Sequence, residues 1–345
     1  MSSAESTGRS IRVRVVIPCR NEAGFIGACL SSLVAADRAG MDVEVRVCDG
    51  MSEDGTRAEV LAISSLHAWI RLVDNPARTT PQAMNLGLRP EGYDVGIILG
   101  AHAEVDPDFL RANIDLLTAH PEAGCTGGII ENVYTDAIGR SIGAAMGHPF
   151  GVGSAHFRTG RKEGEVDTVA FGAYRREVFE QVGYFDERLV RNQDDELNYR
   201  VTKAGWKIRL STKIKSRYVV RASFGKLARQ YWQYGYWKVY VNRLHRTVTT
   251  VRQLVPAGFV LFLMACIAAL VFPVLYLPCS MGLGLYMLAA TFSAMQAAER
   301  WSDVQRVLAA FFVLHLSYGT GYLMGVWDFV LRGRGPKPGA SASSR

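Results

Sequence analysis

The 46 residues from Gln253 to Ala298 contain no Asp, Glu, Lys or Arg. At about 1.5 Å of rise per helical residue, this run reaches roughly twice the ~30 Å thickness of the hydrocarbon layer of a bilayer. The run therefore predicts a membrane hairpin of two helices. Whatever chemistry the polar first two-thirds of the chain performs, we expect it at a membrane surface.

The segment before this run is strongly basic. From Arg200 to Arg252 there are 14 Lys and Arg residues and no acid, and the whole chain carries a net charge of +7. A basic segment beside a transmembrane helix is typical of the cytoplasmic side of a membrane and of contact with anionic headgroups. We therefore expect membrane lipids as partners, no nucleic acid, and a multi-pass protein of the cell (inner) membrane with a cytoplasmic catalytic domain.

Pro273 and Pro278 interrupt the apolar tail, which we place at 253–331. Its segments are predicted at about 254–272, 274–294 and 307–330. After a hairpin returns the chain to the cytoplasm, a third full span would leave basic residues on the outer side, against the positive-inside tendency. These residues are Arg332, Arg334 and Lys337. The third segment is therefore open between a span and a re-entrant helix.

The two ends and the cysteines carry little functional signal. Residues 1–10 are polar and lack the apolar core of a signal peptide, and we expect them and the tail 332–345 to be disordered. The six cysteines have no metal-binding or redox spacing, which favours buried thiols in a reducing compartment.

Short apolar runs alternate with helical patterns through the first hundred residues. The predicted strands are 13–17, 43–47, 70–73 and 95–99. This rhythm predicts an α/β fold with a doubly wound, mainly parallel sheet, in which ligands bind beyond the carboxyl ends of the strands. The polar residues that follow those ends are the first candidates for a site: Arg20, Asn21, Glu22, Asp49, His102 and Glu104.

Asp194, Asp195 and Glu196 form the densest carboxylate cluster in the chain. Acids in the first turn of a helix interact favourably with the helix dipole, by ~0.3–1 kcal/mol each, so the cluster has a purely structural interpretation. The functional interpretation is a general base whose pKa is raised by like-charged neighbours. Spacing alone favours the structural interpretation, and only the family resemblance described next reverses that preference.

Several motifs in order carry a family resemblance. Val15-Val-Ile-Pro-Cys-Arg-Asn-Glu22, Val47-Cys-Asp-Gly-Met-Ser-Glu-Asp-Gly-Thr56 and Gln193-Asp-Asp-Glu-Leu197 together resemble inverting family 2 glycosyltransferases. Gly151-Val-Gly-Ser-Ala-His-Phe-Arg-Thr-Gly160 and Gln230-Tyr-Trp-Gln-Tyr-Gly-Tyr-Trp-Lys238 are similar to the ExoA-like branch, the succinoglycan-biosynthesis glucosyltransferases. The resemblance implies a GT-A type, Rossmann-like nucleotide-binding domain at 11–222, followed by C-terminal transmembrane helices.

The resemblance also implies roles for individual residues. Asp194 matches the catalytic base that deprotonates the acceptor hydroxyl, and Asp195 is the less favoured claimant. Turn chemistry or helix capping is the structural alternative for Pro18 and Asn85. The residues that match contacts to a nucleotide-sugar donor of the UDP type are Pro18, Arg20, Glu22, Asp49, Arg78, Asn85 and His102.

One departure from the family concerns the metal. Relatives hold Mg²⁺ or Mn²⁺ through Asp-x-Asp or Asp-Ala-His after the fourth strand, whereas this chain has Gly100-Ala-His102 and so lacks the first carboxylate. Three explanations are open. His102 with Glu104 holds the metal, basic residues replace it, or transfer activity is weakened or lost.

An aromatic stripe with interspersed cations characterises the segment 223–252, at Leu227, Tyr231, Tyr234, Trp237, Val241 and Leu244. We interpret the segment as a helix in the headgroup layer, where Lys and Arg such as Lys238 and Arg243 would meet lipid phosphate. A helix packed on the catalytic domain is the alternative, and both can hold. Gln233-Tyr-Gly-Tyr-Trp237 lacks the Arg of the family's Gln-x-x-Arg-Trp signature, which disfavours a processive cellulose-type synthase.

Together these observations predict a membrane-anchored hexosyltransferase. It would move a hexose from a nucleotide sugar to a polyprenyl-diphosphate-linked saccharide in exopolysaccharide or cell-surface glycan synthesis. Two alternatives remain from the sequence. One is a polyprenyl-phosphate sugar synthase, and the other, suggested by Gly100, is a non-catalytic homologue that binds donor or lipid.

Overall fold

The computed structural model describes residues 10–153, 155–219, 223–249 and 251–336. Of the expected disordered ends, 1–9 and 337–345 lie outside the described residues. The strands are β1 (Ile11–Cys19), β2 (Met41–Asp49), β3 (Ile70–Asp74), β4 (Val95–Ile98), β5 (Ala103–Val105), β6 (Ala123–Val133), β7 (Gly164–Glu165), β8 (Ala170–Arg175) and β9 (Lys207–Val219).

Helices separate most of these strands and then continue alone to the C-terminal end. In the first two-thirds they are α1 (Ile26–Ala35), α2 (Thr56–Leu66), α3 (Thr80–Leu88), α4 (Phe109–Ala119), α5 (Ala137–Met146), α6 (Pro149–Val152), α7 (His156–Thr159), α8 (Arg176–Val182) and α9 (Gln193–Lys203). The last third contains α10 (Phe224–His245), α11 (Val255–Ala268), α12 (Tyr276–Ala297) and α13 (Val304–Gly325), which ends in a π-helical turn, Val326–Leu331.

All nine strands belong to one sheet, with the order β3-β2-β1-β4-β8-β6-β9-β5 and with β7 paired to β9. The pairs among β1 to β4 are parallel, as the sequence predicts. Farther along, β8 enters antiparallel between β4 and β6, so this half of the sheet is mixed. The carboxyl ends of β1, β2 and β4 therefore meet at one edge.

Alternate residues of β1 face two different apolar layers, because side chains of a strand point to opposite faces in turn. Val15 and Ile17 pack in the layer that contains α1 and α4. Val16 packs in the opposite layer with residues of α3, α8 and α9. Helices on both faces of the sheet confirm the doubly wound α/β fold.

Three C-terminal segments are long and apolar enough to cross a membrane, as expected: Val251–Ala268, Pro273–Ala297 and Trp301–Leu331. They differ in their contacts with the rest of the chain. In each segment we consider the most apolar stretch of 18 residues. The share of these residues that is buried is 11% in the first and second segments and 39% in the third. The hairpin of α11 and α12 thus exposes the large apolar surface that a lipid environment would cover.

Helix α13 contacts the catalytic domain near its start and the end of α10 at its other end. Near its start, Asp303 is buried and forms an ion pair with Arg140 of α5, at 2.7 Å between Nε and Oδ2. At its end, Arg243 of α10 donates a hydrogen bond to the backbone carbonyl of Phe329 at 2.6 Å. The middle of α13 lies against α10, where glycines of the two helices allow close backbone approach.

Candidate active site

The end of β1 and the turn after β4 place two of the candidate residues in direct contact. His102 Nδ1 lies 3.0 Å from Glu22 Oε2, although the two residues come from different loops. The Phe25 ring packs edge-on against His102, with 5.1 Å between ring centroids, and Tyr218 of β9 lies on another side at 6.4 Å. The structure therefore holds the imidazole in one place at the carboxyl edge of the sheet.

Asp49, at the end of β2, is fully buried and makes several contacts within the protein. Its carboxylate accepts a hydrogen bond from the Ser52 backbone N–H at 3.0 Å and forms an ion pair with Arg57 at 2.7 Å. Arg57 also reaches Asp74 at the end of β3, at 2.8 Å. This network ties the carboxyl ends of two adjacent strands together.

The other candidates for donor binding differ in exposure. Asn85 of α3 is buried, and its side-chain amide hydrogen-bonds the backbone N–H and carbonyl of Phe185 at 3.0 and 2.9 Å. Arg78 is exposed and has a positive φ of 60°. Arg20 is half-buried and lies beside Gly50, in the turn after β2. Pro18 is paired in the β1–β2 register with Cys48, next to Asp49.

Gly100 lies against an aromatic residue that the sequence did not single out. A Cβ atom at this position would be 3.2 Å from Cε1 of Phe171, a distance at which the ring must give slightly. Phe171 itself has a positive φ of 47°, which is rare for a bulky residue and tends to occur at functional sites. The ring therefore limits the space in which relatives carry their first metal-binding carboxylate.

Metal-binding capacity in this region is limited. Across the described ranges, no three His, Cys, Asp or Glu side chains converge to hold a metal ion. Glu104 lies in β5, two residues beyond His102, and the direct partner of His102 is Glu22. One carboxylate and one imidazole fit a divalent ion that takes most of its ligands from a diphosphate and water, as Mg²⁺ commonly does.

The three acids of α9 point to different partners. Asp195 forms an ion pair with Lys238 of α10. Glu196 is 1% exposed and accepts hydrogen bonds from Arg200 at 2.7 Å and from His245 at 2.9 Å. Asp194 is exposed, and its carboxylate accepts a hydrogen bond from the backbone N–H of Asp195 at 3.0 Å. Of the three, Asp194 offers the carboxylate that is open to a substrate.

The surroundings of Asp194 also change its acidity. Although its surface is accessible, the side chain has enough protein atoms around it to lose part of its solvation. This loss of solvation raises the pKa of Asp194, and the charge of Asp195 raises it further, while the charge of Lys238 acts in the opposite direction. A carboxylate with a raised pKa is a stronger proton acceptor.

Lys238 does not face the membrane surface, as the sequence suggested, but is 0% exposed. Its ammonium group is buried because α10 lies between two other helices. It contacts α9 on one side and packs against α13 on the other. The same side of α10 accepts a hydrogen bond from Asn192 at the Tyr234 carbonyl, at 3.0 Å. A lysine in the middle of an aromatic stripe could have indicated a buried ion pair. The sequence does not indicate the partner, however, because Asp195 lies 43 residues away in the chain.

Residues 14–183 match the family model described as Glycosyl transferase family 2. Over this stretch, the chain contains a glycosyltransferase family 2 domain. The ExoA-like resemblance is also confirmed: the succinoglycan biosynthesis protein ExoA of Rhizobium meliloti is 27% identical over 336 residues, which are 95% of this chain and 98% of that protein. The enzyme is therefore a glycosyltransferase related to ExoA.

The name of a second relative describes transfer to a lipid-linked sugar. It is the dolichyl N-acetyl-alpha-D-glucosaminyl phosphate 3-beta-D-2,3-diacetamido-2,3-dideoxy-beta-D-glucuronosyltransferase of Methanococcus voltae, 28% identical over 263 residues, 74% of this chain and 81% of that one. Among solved structures, the mannosyltransferase PcManGT of Pyrobaculum calidifontis, in complex with GDP-Man and Mn²⁺, is 18% identical. Its TM-score of 0.60, with 92% of this glycosyltransferase and 87% of that chain covered, confirms the GT-A fold.

Proposed function

We propose that this glycosyltransferase transfers a hexose from a UDP-sugar to a hydroxyl of a polyprenyl-diphosphate-linked saccharide, in exopolysaccharide or cell-surface glycan synthesis. The main support is the position of Asp194, an accessible carboxylate with a raised pKa beside the helices that join the catalytic domain to the membrane hairpin. The names of the relatives, in succinoglycan biosynthesis and in transfer to a dolichyl phosphate sugar, agree with this substrate class.

The proposed mechanism is a single displacement. The acceptor hydroxyl gives its proton to Asp194 as its oxygen attacks the anomeric carbon of the donor sugar. The bond from that carbon to the diphosphate breaks with its electron pair leaving on the diphosphate oxygen, so the configuration inverts. One carboxylate base is sufficient, and Lys238 holds Asp195 aside as its ion-pair partner.

At the donor end, Glu22 and His102 would bind and orient the nucleotide at the carboxyl edge of the sheet, with Pro18, Arg20 and Arg78 around it. The buried Asp49 and Asn85 would hold the surrounding loops in place. A divalent ion, Mg²⁺ or Mn²⁺, would be held by His102 with Glu22 or Glu104. When bound, it would neutralise charge on the departing diphosphate. PcManGT, whose structure contains Mn²⁺ with its nucleotide sugar, supports this arrangement by analogy of fold.

For the membrane, we propose that α11 and α12 cross the bilayer and that α13 lies at its cytoplasmic surface. The start of α13 is bound to the catalytic domain through Arg140, and its end is bound to Arg243 of α10. Two residues farther along α10, His245 contacts Glu196 of α9, so both ends of α13 lie on the side of the catalytic domain. This arrangement also keeps Arg332 and Arg334 on the cytoplasmic side, in agreement with the positive-inside tendency.

The function is tested by incubating membranes that contain the full chain with radiolabelled UDP-glucose and a bacterial lipid extract. We expect a labelled lipid in which the sugar extends a diphosphate-linked saccharide, released by mild acid as an oligosaccharide. A monophosphate-linked single sugar would instead identify a polyprenyl-phosphate sugar synthase. No labelled lipid with any of the common UDP-sugars or with GDP-mannose would contradict the proposal.

Restoring a carboxylate at position 100 tests the metal site. We expect Gly100→Asp to bind UDP about tenfold more tightly in the presence of Mn²⁺, a gain of about 1.4 kcal/mol, because a hard carboxylate oxygen is added to the ligands. Gly100→Ala is the matched control, since it meets Phe171 in the same way without a carboxylate. Equal UDP affinities of Gly100→Asp with Mn²⁺ and with EDTA would contradict the prediction.

A further inference from the structure

Buried polar atoms without a hydrogen-bond partner are uncommon in folded proteins, and each one requires an explanation. In the described part of the chain, nine side-chain nitrogen and oxygen atoms are of this kind. Four of the nine are His156 Nδ1, Arg158 Nη1, Gln253 Oε1 and Tyr318 Oη. They come from three separate segments that meet where the catalytic domain joins the membrane helices.

Arg252 connects two of these segments to each other. It lies with Gln253 in the short turn before α11, and its side chain reaches to 3.6 Å from the Cβ position of Gly153, just ahead of α7. A Cβ atom at Gly319, beside Tyr318 in α13, would lie closer than 3.0 Å to the backbone oxygen of Pro256, at the start of α11. The turn before α11 is therefore close to both helices.

Arg158 belongs to the same junction. Its backbone oxygen lies 3.9 Å from the Cβ position of Gly147, at the end of α5. Ile142 and Met146 of α5 pack in the same apolar cluster as Tyr231 and Tyr318. The guanidinium lies 5.3 Å from the centroid of the neighbouring Phe157 ring. Arg158, the turn before α11 and the middle of α13 thus surround one region beside α10.

At this junction, the positive charge of Arg158 is not balanced by a nearby carboxylate of the described residues. Arg252 forms an ion pair with Asp167 at 2.7 Å, and Asp195 is paired with Lys238. No carboxylate in the described residues lies within ion-pair distance of the Arg158 guanidinium. The site therefore combines a surplus positive charge with donor atoms that have no partner, which is the chemistry that a phosphate group satisfies.

The junction also has a suitable depth. Arg252 is the last charged residue before the uncharged run that begins at Gln253, so it marks the level of the lipid headgroups. Asn192, two residues before Asp194, donates a hydrogen bond to the Tyr234 carbonyl at 3.0 Å. The next residue of α10, Gly235, lies against the backbone of Tyr318, so Asp194 is near the same region. A lipid-linked sugar that reaches Asp194 would pass its phosphate through this junction.

We propose that Arg158, assisted by Arg252 and the Tyr318 hydroxyl, binds the phosphate group that links lipid to saccharide in the acceptor. The inference rests on the proposed function and adds a recognition site to it. The guanidinium and the hydroxyl donate hydrogen bonds to the phosphate oxygens, and Gln253 Oε1 accepts one from a sugar hydroxyl. The site holds the acceptor at a fixed depth, with its first sugars directed toward Asp194.

Binding of farnesyl diphosphate to the full chain in phosphatidylcholine nanodiscs tests the site without any need for turnover. We expect Arg158→Gln to weaken this binding about tenfold or more, because a charge-assisted hydrogen bond is lost. Farnesol, which has no phosphate, should bind weakly and equally to both proteins. Arg158→Lys should recover part of the affinity, since Lys keeps the charge and loses the planar donor pair.

Arg161→Gln is the matched control, because Arg161 is exposed in the same segment and the charge change is identical. Equal affinity of wild type and Arg158→Gln for farnesyl diphosphate would overturn the proposal. Displacement of farnesyl diphosphate by UDP would also overturn it, because Arg158 would then belong to the donor site. Displacement by phosphatidylglycerol would overturn it too, because the site would then bind lipid headgroups in general. Arg158-dependent binding without lipid-linked product in the transfer assay would count against the proposed function alone.

Discussion

Asp194→Asn is expected to lower kcat about 10³-fold, because a positioned general base contributes roughly 10²–10⁴-fold to such a reaction. Asn has nearly the same volume as Asp but cannot take up the proton of the acceptor hydroxyl. Binding of UDP, measured by titration, should be unchanged, since the nucleotide candidates lie at the edge of the sheet near Glu22 and His102. The measurement is the initial rate of radiolabel transfer to extracted lipid at saturating donor.

Asp195→Asn is the comparison that separates the two claimants. It removes the carboxylate that is paired with the buried Lys238, so we expect lower thermal stability but a smaller loss of kcat than in Asp194→Asn. A larger loss of kcat for Asp195→Asn in protein that is still folded would assign the base to Asp195. Substantial activity in Asp194→Asn would favour a phosphate acceptor, which needs no strong base.

The pH dependence provides an independent measure of the same assignment. Because the pKa of Asp194 is raised, the rate should fall with decreasing pH at values above those typical of an exposed Asp. Lys238→Met removes a charge that lowers the pKa of Asp194, so this acidic limb should move to higher pH. If the limb does not move, Lys238 has no electrostatic influence on the base.

Gly321→Ala is expected to destabilise the protein by about 1–3 kcal/mol through overpacking. A Cβ at Gly321 of α13 would lie closer than 3.0 Å to the backbone carbonyl oxygen of Trp232 in α10, and a backbone carbonyl cannot rotate away as a side chain can. Separation of α10 from α13 would also move Lys238 relative to Asp195. We therefore expect lower thermal stability in detergent together with a reduced transfer rate.

Gly258→Ala is the matched control for this substitution. Gly258 lies in α11, and no atom lies within 4 Å of its Cβ position. Both substitutions remove a helical glycine and so gain similar helix propensity, about 0.5–1 kcal/mol. The difference between the two melting curves isolates the packing effect, and identical curves would show that α10 and α13 are not held together by this close contact.

The strand ends are the part of the site that the sequence predicts well. The apolar runs that end near Pro18 and Asp49 are local patterns, and parallel strands place their carboxyl ends at one edge whatever the loops do. The polar residues after those strands therefore lie near each other in the structure, as Glu22 and His102 do at 3.0 Å. Their roles toward a nucleotide remain predictions.

The contacts of α10 could not be predicted in the same way. The aromatic periodicity of this helix is compatible with lipid and with protein packing alike, because both are apolar surroundings. Burial of Lys238 became possible only because Asp195 lies opposite, and nothing in the local sequence pairs two residues that are 43 positions apart. Phe171 was missed for a related reason, since its closeness to Gly100 depends on β8 pairing beside β4.

The sequence by itself determined the uncharged hairpin, the α/β domain before it and the family of the chemistry. These follow from local periodicity, from the length of an apolar run against the bilayer, and from motifs read in order. Only the tertiary structure decided how the three acids of α9 differ and how α13 lies against the domain. The reason is that charge pairing and helix packing depend on which distant side chains meet, and the chain settles this only when it folds.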